Sequence, residues 1–379
     1  MAGIYLHIPF CKQACYYCDF HFSTSLKRKS NLLKAIEREL VIRKDVFEYE
    51  KIETIYFGGG TPSILTTQEL ASIFTVIYNN YNVTENAEIT LEANPDDLSE
   101  EKLKELSKTP INRLSIGIQS FFEDDLKFMN RAHTAEESKR SLSDAMHYFD
   151  NITIDLIYGV PNMTNEKWRK NLQLAFEFGV PHISSYALTV ENKTALASFI
   201  KKGKVPPIDE NLALDHFNIL VAETEKQGFI HYEISNFGKS NYFSKHNTSY
   251  WLGEKYIGVG PSAHSFNGIE RSWNISNNTI YSKSILENKL PITVEMLSEN
   301  NRFNEYIMTG LRTVFGVSFD KVENEFGKEI LDELVKNIKP FIKKGLLEII
   351  TETNANKTLV TTTKGKFLAD GIASDLFVI

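Results

Sequence analysis

Three cysteines are all that this chain of 379 residues possesses, and they fall within one short stretch: Cys11, Cys15 and Cys18. An odd number of thiols packed so tightly argues against a disulfide framework, and thiols gathered in one loop read as metal ligands. The run Ile4-Tyr5-Leu6-His7-Ile8 before them is apolar enough for a strand, so the loop hangs from a strand end. Three thiolates suit a cubane of four irons in which one iron lacks a protein ligand and is open to a small molecule. Zinc is the competing reading, with His7 or His21 as the fourth ligand of a Cys3His site.

The chain around this loop alternates strand-like runs with helical patterns. Strands are expected over 4–8, 52–57, 87–91, 113–118, 152–157 and 182–188, and helices over 26–47, from Thr67, from a Ser99 cap, and over 168–178. Apolar, β-branched strands separated by helices predict a parallel sheet covered on both faces, an α/β fold. Six such steps are too few to close an eight-stranded barrel, so a partial (β/α) barrel is expected. Cys11, Gly59, Glu92, Gln119 and Asp155 all follow strands, at the end where such sheets bind ligands.

The Asn- and Ser-rich residues 271–300 are expected to form a linker after a first domain over 1–270. The remainder, 301–379, reads as three helices over 302–314, 319–326 and 329–342. A hairpin over 346–350 and 358–360 with a polar turn at 352–357 follows, and then a last helix from Thr363, which is a winged-helix-like pattern. A winged helix can hold nucleic acid, but Lys plus Arg 42 against Asp plus Glu 49 gives a net charge of −7, the wrong sign for that partner. The better expectation for this domain is packing or partner docking. No apolar run reaches the length of a membrane span, and the first residues lack the basic and apolar segments of a signal peptide, so a cytoplasmic protein is expected.

Joined together, Cys11-x-x-x-Cys15-x-x-Cys18 after the first strand and Gly58-Gly59-Gly60-Thr61-Pro62 after the second resemble the radical S-adenosylmethionine (SAM) enzymes. The resemblance implies a 4Fe-4S cluster on Cys11, Cys15 and Cys18 whose open iron is chelated by SAM. It narrows further. The segments Tyr5 to Cys11, Tyr17-Cys18-Asp19-Phe20, Phe57 to Pro62, Gly117-Ile118-Gln119-Ser120 and Asp155 to Pro161 are similar to the oxygen-independent coproporphyrinogen III oxidase group. That likeness spans nearly the whole chain and implies SAM contacts from Tyr5, Gly59, Gly60, Thr61, Glu92, Gln119, Arg131 and Asp155. The residue types suit the ligand, because ribose hydroxyls and an ammonium want carboxylates while a carboxylate wants Arg or backbone donors. Gly258-Val259-Gly260-Pro261 is rejected as a dinucleotide loop, since it lacks a third glycine and Pro261 removes a donor. The likeness instead puts His264 near the SAM pocket.

Two departures from the oxidases matter. They carry a further cysteine where this chain has Phe20, and an extension before the first strand where this chain enters that strand at about residue 4. Both features resemble the related HemW family of haem chaperones, which implies haem as a further cofactor and apo-haemoproteins such as respiratory enzymes as partners. The family's His-Asn-x-x-Tyr-Trp stretch stands here as His246-Asn247-Thr248-Ser249-Tyr250-Trp251, implying His246 as a haem ligand with His7 and His133 as alternatives. An imidazole can ligate haem iron and flanking aromatics can stack on the ring. Two other functions compete: an oxidase that decarboxylates propionates through a 5′-deoxyadenosyl radical, and a winged-helix regulator with the cluster as redox sensor.

Overall fold

The computed structural model describes residues 2–47, 50–351 and 356–378. Its main sheet runs in the order β12-β11-β10-β9-β1-β2-β3-β4-β5-β6-β8-β7. The six central strands are β1 (Ala2–Ile8), β2 (Ile52–Gly59), β3 (Val83–Ala93), β4 (Arg113–Gln119), β5 (Ile152–Tyr158) and β6 (His182–Ala187). They pair in parallel in sequence order. Helices cross over between them, and most strand residues are buried on both faces, which is why these strands read as apolar runs.

The expected partial barrel is thus present, and the later segments lengthen it without closing it. β9 (Lys255–Val259) pairs in parallel with β1, and β10 (His264–Phe266), β11 (Glu270–Asn274) and β12 (Ile292–Met296) continue outward as an antiparallel meander. At the other margin β8 (Asn236–Gly238) pairs antiparallel with β6, and β7 (Ile230–Glu233) with β8.

Two expectations need correction. The helix expected over 26–47 spans only Lys29–Ile42 and is followed by a 3₁₀ turn, Lys44–Phe47. Arg43 caps its end, and the Arg43 guanidinium is bonded to the Gly258 carbonyl (2.8 Å) and Ser265 Oγ (3.0 Å). Residues 271–300 are no linker, because they hold most of β11, a helix (Asn278–Leu286) and β12. Their Asn-rich composition reflects local structural roles. Asn277 caps that helix through the Thr279 and Ile280 amides, and buried Asn274 donates to Glu39 (2.9 Å) and the Gly260 carbonyl (2.8 Å).

The second unit begins where Ser298 caps the helix Glu299–Leu311. Helices Phe319–Phe326 and Lys328–Asn337 follow, and Pro340 divides the expected third helix by opening a separate turn, Lys339–Lys343. The expected hairpin, β14 (Leu347–Thr351) and β15 (Lys357–Thr361), gains a third strand, β13 (Val317–Ser318), on β15. Of the turn expected over 352–357, residues 352–355 lie outside the described residues. The unit has its own core around Phe303, Ile307, Leu311, Val322 and Leu359. Arg312 clamps it to the barrel, bonding Glu233 (3.0 Å) and Asp370 (2.6 Å) while lying 5.0 Å over the Trp251 ring. No described helix is long and apolar enough to cross a membrane.

Candidate cluster and SAM site

A cavity of about 430 Å³ opens at the carboxyl ends of β1 to β6, and Cys11, Cys15 and Cys18 all line it. So do Gly59, Gly60, Thr61, Glu92, Gln119, Arg131 and Asp155. Register explains the convergence: His7 faces Gly58 and Ile8 faces Gly59, so the cysteine loop and the glycine turn leave the sheet side by side. The two are stitched together, with Gly60 donating to the Ile8 carbonyl (3.0 Å) and Thr61 to that of Phe10 (2.7 Å). A Cβ on Gly60 would lie 2.7 Å from Ile8 and Phe10 backbone atoms, so only glycine fits. Cys11 donates its amide to Ser23 (3.1 Å), closing the loop's base.

The donor set fits an iron–sulfur cluster. All three thiols are free and half-buried on one wall, and burial pushes Cys18 up to about 11 and raises Cys11. Metal binding displaces such protons and the bound thiolates need nearby positive charge. Arg131 supplies it, approaching Cys15 Sγ at 3.3 Å, with its Nε buried and unpartnered. Its other amino group is fixed by Asn94 Oδ1 (2.7 Å) and the Gly117 carbonyl (2.9 Å). Among the described residues no three His, Cys, Asp or Glu side chains converge on a single-ion point. A cubane asks less of them, since each cysteine takes a different iron. His7 Nε2 is engaged by the His21 carbonyl (2.9 Å) and His21 Nε2 by Asn278 (2.7 Å).

Across the cavity stand two carboxyls. Glu92 accepts from Tyr56 Oη (2.9 Å) and the Gly59 amide (3.1 Å), and burial reinforced by Asp155 pushes it up to about 7. Burial pushes Asp155 up to about 6 against the pull of Arg113, Arg131, Ser184 and Ser115. Gln119 ends β4 with φ +62°, a left-handed conformation that costs a non-glycine residue energy and turns the chain where the strand meets the cavity.

Residues 5–175 match the profile described as the radical SAM superfamily, and 297–355 match the HemN C-terminal domain. The heme chaperone HemW of Lactococcus lactis is 37% identical over 85% of this chain and 84% of its own. That of Bacillus subtilis is 32% identical over 98% of each. The chain belongs to the HemW family. The solved structure of coproporphyrinogen III oxidase (HemN) from Escherichia coli superposes with a TM-score of 0.85 at 22% identity, covering 100% of this chain and 90% of that one. This likeness of fold includes the C-terminal unit.

Three residues expected at cofactors from the HemW and oxidase likeness are not among those that line this cavity. Tyr5 sits beneath the cavity against Gly58 and bonds His7 Nδ1 (3.2 Å). His264 is exposed on β10 and stacks on Trp273. His246 is fully buried inside the barrel, its Nδ1 paired with Thr54 Oγ1 (2.8 Å) and its Nε2 with Tyr250 Oη (2.7 Å). With both ring nitrogens taken and no solvent face, it has no lone pair for haem iron in this structure. His133 is likewise buried, with Nε2 on the Ile118 carbonyl (3.1 Å). Conversely, sequence reasoning missed Asn94 and Tyr56, which fix Arg131 and Glu92. Asn94-Pro95 at a strand exit was a usable signal for the first; Tyr56, inside a buried strand, gives none.

Proposed function

We propose that the chain is a haem chaperone that holds a SAM-liganded 4Fe-4S cluster in this cavity and passes haem to apo-haemoproteins, respiratory enzymes among them. The observation that carries the cofactor assignment is the single cavity joining three cysteines, the glycine turn and the two carboxyls. The haem assignment is supported by the relatives named heme chaperone over nearly the whole chain.

Cys11, Cys15 and Cys18 would hold the cluster, which when bound supplies one electron at a time. The protein's own groups do the rest. Arg131 offsets thiolate charge, Glu92 and Asp155 offer acceptors to hydroxyl or ammonium groups, and the Gly60 turn admits backbone where no side chain fits. Phe20, 67% exposed at the rim, offers no ligand where the oxidases carry a cysteine. The test is anaerobic. Reconstituted protein with SAM and a reductant should leave coproporphyrinogen III unchanged and should load haem onto an apo-haemoprotein. Formation of protoporphyrinogen at steady turnover would replace this reading with the oxidase.

A further inference from the structure

If His246 does not ligate iron, the haem needs another seat. The barrel's two ends are connected. Tyr56, bonded to Glu92, stacks on His246 with ring centres 5.0 Å apart, and His246 bonds the hydroxyl of Tyr250, whose ring meets Tyr256 edge-on at 4.4 Å. Thr54 and Lys255 lie near the amino ends of β2 and β9, so this chain of rings leaves the barrel opposite the cluster cavity. There it reaches a groove of about 390 Å³ between the helix Lys245–Trp251, the outer strands and the helix Glu299–Leu311.

We propose that this groove is the haem seat: the macrocycle lies against Trp251 and Tyr256, and a propionate is held by Arg302. The proposal rests on the chaperone reading above. The groove's volume lies in the range of about 300–1,000 Å³ usual for small-molecule sites. Its walls suit a flat apolar ring, with Phe266 and Met308 adding further apolar surface. The charges single out one residue. Arg271 is paired with Glu305 (2.7 Å), and Lys321 lies 4.6 Å over the Tyr306 ring with Glu325 at 3.9 Å. Among the described residues only Arg302 of these three groove cations has no side-chain partner. An unpaired guanidinium at the rim of an aromatic groove is complementary to a planar ligand that carries carboxylates. The Met308 thioether and the Tyr256 phenol, both half-buried, are groups of the kinds that ligate haem iron. The opposite cavity, by contrast, is committed to the cluster and SAM.

The test compares haem with haem dimethyl ester, which keeps the ring and iron and lacks the free carboxylates. Both are titrated into the full-length, cluster-loaded protein and its Arg302→Ala and Arg302→Glu variants. Haem should bind about tenfold or more weakly to both variants, the ester should bind all three proteins alike, and iron content and SAM binding should stay at wild-type levels. Met308→Ala should shift the Soret band or weaken binding of both porphyrins. Wild-type haem affinity in both Arg302 variants would overturn the groove assignment while leaving the chaperone reading intact. A wild-type protein that holds no haem would sink both.

Discussion

The two ends of the barrel use the same residue types to opposite ends. At the carboxyl ends of the strands, Glu92, Asp155, Gln119 and Arg131 line an open cavity, and Arg131 leaves a buried nitrogen unpartnered. Toward the amino ends, Glu88 accepts the backbone amides of Lys245 and His246 (3.0 Å each), and His246 spends both nitrogens on neighbours. The helix Lys245–Trp251 is therefore a plug secured by satisfied polar groups, whereas the cavity wall keeps polar capacity in reserve. In a β/α barrel, chemistry belongs to the first arrangement and stability to the second.

The largest effect should come from the cavity end. Replacing Cys11, Cys15 or Cys18 by Ala should abolish cluster assembly, taking the iron content from about four per chain to background and with it any spectral response to SAM. Iron analysis and the visible spectrum read this directly. Stoichiometric zinc and no iron uptake in the wild-type protein would overturn the cubane.

At the plug, His246→Ala should act on stability. It strips Thr54 and Tyr250 of their partners and removes a ring stacked on Tyr56, for a loss of about 2–4 kcal/mol from the cavity and the orphaned hydroxyls together. Denaturant unfolding of the wild-type and variant proteins measures this. Unchanged stability combined with a lost haem spectrum would return His246 to the role of iron ligand and break the contrast between the two ends.

A smaller effect separates the carboxyls from the cysteines. Glu92→Gln and Asp155→Asn should each weaken SAM binding by roughly 1.5–3 kcal/mol, about ten- to a hundredfold, with cluster content unchanged. Equal SAM affinity in both variants would remove these residues from the ligand site.

How much of this was legible in sequence follows the same division. Strands buried on both faces announce themselves as apolar runs, so the six-strand frame and the residues at its carboxyl ends could be read, and the cavity gathers seven of the eight residues expected to contact SAM, Tyr5 being the exception. The plug could not be read. Nothing near His246 in the sequence tells that Thr54, 192 positions away, will take its Nδ1, so the family likeness that implied a haem ligand could not show that both its nitrogens have partners. Residues 271–300 misled for a related reason. Asn and Ser are loop-forming in isolation, yet Asn274 is buried and Asn277 is a cap, because Glu39 and a helix start supply the partners.

The finest test lies in the pH dependence of the cavity. Glu92 is pushed up to about 7 by burial and Asp155, and Asp155 up to about 6 by burial, so both carboxyls are largely neutral at pH 5.5 and ionised at pH 8. The groups that face them are Tyr56 and the Gly59 amide on Glu92, and Arg113, Arg131, Ser115 and Ser184 around Asp155. SAM carries a sulfonium, so ionisation strengthens binding and affinity should rise with pH through this window, by roughly tenfold or more, each tenfold in affinity matching one unit of pKa shift on binding. The stability of the SAM-free protein should run the other way. A carboxyl whose folded pKa lies above its unfolded value favours the fold below the unfolded pKa, and that contribution is lost as pH rises through the folded value. Thermal unfolding with and without SAM should therefore show a ligand-induced shift that grows from pH 5.5 to 8. Glu92→Gln should flatten the upper part of that rise and Asp155→Asn the lower. A shift independent of pH in the wild-type protein would mean that neither carboxyl faces the ligand's charge.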